Sequence, residues 1–279
     1  MVESASFQLA RNIGSKLRKS TCNGPLRRSK LNGFLHFPSI LGDRSGVTEA
    51  LPTVLVPGLN CSARLYAEQI PALWRFGPVI VADHTRDDTL AAIARRILAA
   101  APPRFALAGL SMGGYISFEI MRQAPERVAK LALLDTGARA ETPEQTKARL
   151  PRIELAKRGR VAEVADVQFP VLVHSSRQGD EALRRLVRTM GEETGAEVFL
   201  RQQTAVMARP DSRPGLAAIA CPTLVLVGDG DALTPPALAR EIAAGIRGSR
   251  LLVIPECGHL PTIERPEAVT KAMVEWMEL

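Results

Sequence analysis

Beyond Leu51 the chain alternates two apolar patterns. Short runs dense in Val, Leu and Ile are separated by longer stretches in which apolar residues return every three or four positions. The first pattern suits strands buried on both faces, the second helices with one buried stripe. Thr53–Val56, Val79–Ala82, Phe105–Leu110, Val128–Leu134, Thr223–Val227 and Arg250–Ile254 are predicted strands. Arg64–Trp74, Asp87–Ala100, Met112–Gln123 and Glu264–Met277 are predicted helices, the second placing Leu90, Ile93, Ile97 and Leu98 on one face and opening with acids that suit a helix N-terminus. Strands joined by crossover helices pair in parallel. The expected fold class is therefore α/β, a mostly parallel, doubly wound sheet with helices on both faces.

Between Asp135 and Thr223 the alternation lapses. Residues 137–220 carry charged helical stretches such as Pro143–Arg158 and Asp180–Met190, too periodic and too rich in Leu, Val and Phe for a linker. They predict a helical cap inserted into a core made of residues 46–136 and 221–279. The arginines of this insertion, Arg149, Arg152, Arg177, Arg201 and Arg209, read as solvated surface charge.

Candidate chemistry begins at Gly109-Leu110-Ser111-Met112-Gly113-Gly114, where an apolar strand runs into a helix. A sharp strand-to-helix turn strains its apex residue and leaves no room for side chains two positions to either side, the space that Gly109 and Gly113 free. Ser111 is thereby a candidate nucleophile. The first N–H groups of the following helix, Met112 among them, face the space above it and can stabilise negative charge.

A serine hydroxyl needs a base within reach and a third group to orient that base. Among the four histidines, His36 lies in the N-terminal region, His84 beyond an earlier strand end and His174 in the insertion. His259 instead follows the last predicted strand, inside the loop Cys257-Gly258-His259-Leu260-Pro261. For the acid, Thr223–Val227 runs into Gly228-Asp229-Gly230-Asp231, where two aspartates compete. The chain order serine, aspartate, histidine fits a nucleophile-elbow hydrolase.

Together the runs GLSMGG, LVLVGDGDALTPP and CGHLPTIERPE resemble the α/β-hydrolase superfamily, in particular its capped, cofactor-independent branch of esterase-like enzymes. The resemblance covers residues 51–279 and implies, through the family's G-x-x-D pattern, that Asp231 is the triad acid and Asp229 a loop-structuring residue. It also places half of the oxyanion hole in Val56-Pro57-Gly58-Leu59-Asn60, where the backbone N–H of Leu59, or of its neighbour Asn60, would pair with that of Met112; Pro57 stands where the family often has histidine. The family's N-terminal hairpin has only a weak counterpart in Gly33–Ile40. No metal or organic cofactor is implied.

Charge alters this picture little. The net charge is +7, but residues 1–40 hold seven Lys/Arg and one acid, so the periodic part of the chain is close to neutral and presents no basic stripe for nucleic acid. Residues 1–45 are expected to be a basic, poorly ordered extension. No apolar run is long enough to span a bilayer. The four cysteines, Cys22, Cys61, Cys221 and Cys257, are too dispersed for a metal site and read as buried thiols, which fits a cytoplasmic protein. The expected activity is cleavage of a carboxylic ester or thioester of a small acyl substrate by Ser111, Asp231 and His259. Carbon–carbon bond hydrolysis, perhydrolysis on the same triad, and non-catalytic reception of a small molecule are the alternatives. A serine nucleophile argues against epoxide and haloalkane hydrolysis, which need a carboxylate there.

Overall fold

The structure, a computed structural model, describes residues 50–279. The weak strand expected over 33–40, the whole basic extension of residues 1–45, His36 and Cys22 lie outside the described residues. Six strands, β1 (Thr53–Val56), β2 (Val79–Val81), β3 (Phe105–Leu110), β4 (Val128–Leu134), β5 (Thr223–Gly228) and β6 (Arg250–Ile254), form one sheet in the order β2-β1-β3-β4-β5-β6. Every neighbouring pair is parallel. The apolar runs become strands because alternate side chains enter two different cores. Val54, Val56, Leu107, Leu131, Leu133 and Val225 pack on one face, whereas Leu55, Ala106, Ala108, Leu134, Leu224 and Leu226 pack on the other.

Helices cover both faces. Those named here are α1 (Ile70–Leu73), α2 (Leu90–Ala100), α3 (Met112–Gln123), α4 (Pro143–Lys157), α5 (Val161–Leu172), α6 (Glu181–Thr194), α7 (Ala196–Met207), α8 (Pro236–Gly245), α9 (Pro261–Glu264) and α10 (Pro266–Glu278). Leu90 and Ile93 of α2, Ile116 of α3 and Ile242 of α8 join the first core; Leu73 of α1 and Val269 and Trp276 of α10 join the second. Helices α4–α7 all fall between β4 and β5. Among the described residues no helix is long and apolar enough to cross a membrane.

Three expected helices differ in detail, each for a local reason. The helix expected over 64–74 is broken into a 3-10 turn, Ala63–Tyr66, and α1, because Pro71 lacks the N–H an interior position needs and is tolerated only in the first turn of a new helix. The helix expected from Asp87 begins at Leu90: Thr89 caps it by accepting from the Ala92 N–H, and Asp87 pairs with Arg96 instead. The C-terminal helix expected as one piece is interrupted at Arg265, with Pro266 opening α10.

The strand order decides where a site can form. From β1 the chain steps outward to β2, returns past β1 to β3 and then continues the other way to β6. The crevice between the carboxyl ends of β1 and β3 is thus the switch point at which open α/β sheets bind ligands. Backbone strain collects along the same edge: the non-glycine residues with positive φ, Asn60, Ser111, Asp135 and Glu256, all follow strand ends.

Candidate active site

Ser111 stands at the end of β3 with φ 55° and ψ −114°, a conformation rarely adopted by a residue with a Cβ. The turn is held from two sides. The Ser111 N–H continues the sheet ladder by donating to the Leu134 carbonyl at 2.9 Å, and Thr136 Oγ1 donates to the Ser111 carbonyl at 2.8 Å. Space explains the glycines: a Cβ on Gly109 would collide with the Gly113 carbonyl, and one on Gly113 with the carbonyl of Val56 on β1. These glycines let α3 descend directly onto β1 and β3.

His259 and Asp231 converge on this serine. His259 Nε2 lies 2.8 Å from Ser111 Oγ, and His259 Nδ1 lies 2.8 Å from Asp231 Oδ2. Because a carboxylate accepts only, the Nδ1–H donates to it and Nε2 is left to accept from the serine hydroxyl. Asp231 is fixed in turn: the Leu233 and Thr234 N–H groups donate to its Oδ1 at 2.8 and 3.0 Å, and Thr234 Oγ1 donates to its Oδ2 at 2.6 Å. Burial opposes its charge, but the adjacent imidazole and these donors prevail and hold its pKa well below the carboxylate range. Asp229 is not part of this group; it is exposed, and its carboxylate accepts from the Cys257 N–H at 3.1 Å, tying its loop to the histidine loop.

Buried acids missed by sequence reasoning complete the surroundings. Asp135, at the end of β4, offers a carboxylate oxygen that lies, with one from Asp231 and a His259 ring nitrogen, in a cluster within 4.8 Å. Its Oδ1 accepts from the Gly228 N–H at 2.9 Å, and its Oδ2 accepts from no described residue. Burial first, and then the Asp231 charge, push its pKa well above the usual range, opposite to the shift at Asp231. Glu264 sits under the histidine loop, 2% exposed, and its carboxylate accepts from the N–H groups of Gly258, Leu260 and His174 at 3.1, 3.1 and 2.8 Å. The His259 N–H donates to the Leu172 carbonyl at 2.9 Å, a second link between this loop and the end of α5. A signal for Glu264 was present in the CGHLPTIERPE run; an aspartate ending an apolar strand, as Asp135 does, reads only as a turn residue.

After β1 the loop Pro57-Gly58-Leu59-Asn60 approaches the serine so closely that a Cβ on Gly58 would lie 3.5 Å from Ser111 Cβ. The Asn60 N–H is engaged, donating to Gln202 Oε1 of α7 at 2.9 Å. Among the described residues nothing accepts from the N–H of Leu59 or of Met112. His84, buried beyond β2, braces the loop by donating from Nε2 to the Gly58 carbonyl at 3.0 Å. Cys61 lies beside this loop as a free thiol whose pKa burial pushes up to about 12, so it packs as a small apolar group.

Ser111, His259 and Leu59 open into a cavity of about 460 Å³. Leu110, Leu172, Val187 and Leu260 supply apolar wall. Contrary to the expectation of solvated surface charge, Arg149, Arg152 and Arg209 also line it. Of the other arginines considered with them, Arg177 pairs with Asp180 and donates to the Glu264 carbonyl, and Arg201 donates to the Thr85 carbonyl.

Comparison with known proteins agrees with this architecture. Over 235 residues, 80% of this chain and 86% of the relative, the sequence is 27% identical to the pimeloyl-[acyl-carrier protein] methyl ester esterase of Edwardsiella ictaluri. It is 28% identical over 177 residues, 61% of each chain, to the 2-hydroxy-6-oxononadienedioate/2-hydroxy-6-oxononatrienedioate hydrolase of Escherichia coli. Among solved structures, a thermophilic esterase from Thermogutta terrifontis superimposes with a TM-score of 0.74 at 32% identity, covering 82% of this chain and 89% of that one. The model of the alpha/beta hydrolase family matches residues 51–272, and with that span of sequence and the six-stranded parallel sheet the chain belongs to the alpha/beta hydrolase family.

Proposed function

We propose that the protein is a serine hydrolase that cleaves a carboxylic ester or thioester of a small molecule through an acyl-enzyme. The observation that carries this reading is the unbroken hydrogen-bonded chain from Ser111 Oγ through His259 to Asp231, with the serine at a strained turn over the sheet's switch point. In the reaction His259 Nε2 takes the Ser111 proton as Oγ attacks the acyl carbon, and Asp231 holds the imidazole in the required tautomer and stabilises its charged form. The N–H groups of Leu59 and Met112, which have no other acceptor among the described residues, receive the oxyanion, each contributing about 3 kcal/mol in the transition state. Asn60 is the poorer candidate for that role because Gln202 already occupies its N–H. The histidine then protonates the leaving group, and water activated by the same base releases the acid. Helices α4–α7 act as the cap, of which α4, α5 and α6 contribute Ala148, Gln168, Leu172 and Val187 to the wall of the cavity that holds Ser111.

The test is hydrolysis of p-nitrophenyl esters from acetate to dodecanoate by the wild type and Ser111→Ala. Loss of kcat on the order of a millionfold in a folded Ser111→Ala protein is the expected result. A folded wild type that turns over none of the series would remove ester cleavage in favour of carbon–carbon hydrolysis, perhydrolysis or ligand reception.

A further inference from the structure

The cavity's arginines are not balanced by acids. Glu141, nearly inaccessible to solvent, accepts from Arg149 Nε at 2.7 Å and Nη2 at 3.3 Å, and its carboxylate also pairs with Arg209. Arg209 is held further by the Arg139 carbonyl and by Gln145 Oε1, each at 3.0 Å, and lies over the Tyr115 ring. Arg139, at the rim, is matched by Glu241. Arg152 differs from all of these. It pairs with no carboxylate among the described residues, and its Nε, shut off from solvent, donates to nothing.

Three guanidinium groups, Arg149, Arg152 and Arg209, therefore line the cavity wall, and the single carboxylate of Glu141 pairs with only two of them, Arg149 and Arg209. Arginine keeps its charge at any pH compatible with folding, and a half-buried cation without a counter-ion is costly. Burial, and then the neighbouring Arg149 one turn back on α4, pull the Arg152 pKa down, which is the mark of a cation lacking its anion. The three arginines line the same cavity as Ser111. Tyr115, on which Arg209 stacks, is one turn beyond Ser111 on α3, about 6 Å along the helix axis.

We propose that the substrate brings the missing anion: a carboxylate at its far end binds Arg152, backed by Arg149, while Ser111 attacks the ester, so that the substrates are half-esters of dicarboxylic acids or similarly acidic acyl esters. The guanidinium fork suits a carboxylate, and the apolar wall of the cavity shared by the arginines and Ser111 suits the connecting methylenes. The proposal deepens the ester-hydrolase reading and rests on it for turnover.

Methyl hydrogen adipate and methyl hexanoate present the same ester, with and without the distal charge. The wild type is expected to favour the half-ester in kcat/KM by about tenfold to a hundredfold, the worth of one charge-assisted pair, chiefly through KM. Arg152→Gln should bring the ratio of the two close to one, Arg152→Lys should restore part of it, and Arg185→Gln, exposed on α6, should leave the ratio at its wild-type value. A wild type without preference, or Arg152→Gln lowering both esters alike, overturns the proposal. Titration of adipate into folded Ser111→Ala by calorimetry separates this failure from failure of the hydrolase reading, because it requires no turnover. Binding that weakens about tenfold or more in Ser111→Ala/Arg152→Gln upholds the anion site even if no ester is cleaved. Absence of binding to Ser111→Ala overturns it even if esters are cleaved.

Discussion

Asp135 and Asp231 crowd one histidine from two different strands, yet their environments drive them apart. Asp231 has His259 and three donors in its favour; Asp135 has one backbone N–H and the repulsion of Asp231 against its charge. The two carboxyl groups are thus shifted in opposite directions, Asp231 towards its charged form and Asp135 away from it. Asparagine at 135 keeps an acceptor for Gly228 and removes a charge that the site disfavours, so Asp135→Asn should change kcat/KM by less than about tenfold, whereas Asp231→Asn should cost on the order of 10⁴ by favouring the wrong imidazole tautomer. Steady-state kinetics on one ester settles the pair, and equal losses would mean that Asp135 shares the charge. Chain order and spacing were enough to bring Ser111 and His259 forward as candidates; distinguishing Asp231 from Asp229 required the family pattern, because both lie in one glycine-rich loop. Asp135 stayed hidden because its role depends on a neighbour 96 positions away.

At the level of elements, apolar periodicity located all six described strands, the four inner ones because they are buried on both faces and the edge strands β2 and β6 because they keep apolar runs although they are only partly buried. Helix ends were less legible: Pro71, Pro266 and the Thr89 cap each shift a boundary through one local hydrogen bond. Invisible too was the brace between elements, in which His84 beyond β2 holds the carbonyl of Gly58 beyond β1. This brace carries a pH signature. Burial lowers the His84 pKa below its ordinary 6.5, against the opposing effect of the Gly58 carbonyl, so the unfolded chain takes up the proton first as pH falls. The stability held above pH 6.5 is then lost on acidification, by at most about 1.4 kcal/mol per pH unit. Melts at pH 7.5 and 5.5 should show the wild type losing more than His84→Gln between the two; matching losses would mean that His84 does not titrate in this way.

For the molecule as a whole, the doubly wound order sets the site's address before any side chain is considered: β1 and β3 part at their carboxyl ends, and Leu59, Ser111, Asp231 and His259 arrive there on four separate loops. The family model and the solved relatives bear out that architecture, which sequence periodicity alone had predicted. The helices between β4 and β5 were expected as an insertion, but the burial of three of their arginines in the cavity wall could not be read from charge counts, since a helical arginine looks the same whether it faces water or a ligand.

Glu264 joins parts of the chain that lie far apart in sequence, with one carboxylate accepting from His174, Gly258 and Leu260. Those amides should therefore open to solvent as a unit. In deuterium-exchange mass spectrometry, peptides spanning residue 174 and residues 258–260 are expected to exchange in step in the wild type and to speed up together in Glu264→Gln, while acceleration confined to one segment would mean that the two loosen independently. Local melting at the end of α5 then reaches His259 directly, so warming should abolish activity while the sheet still resists exchange.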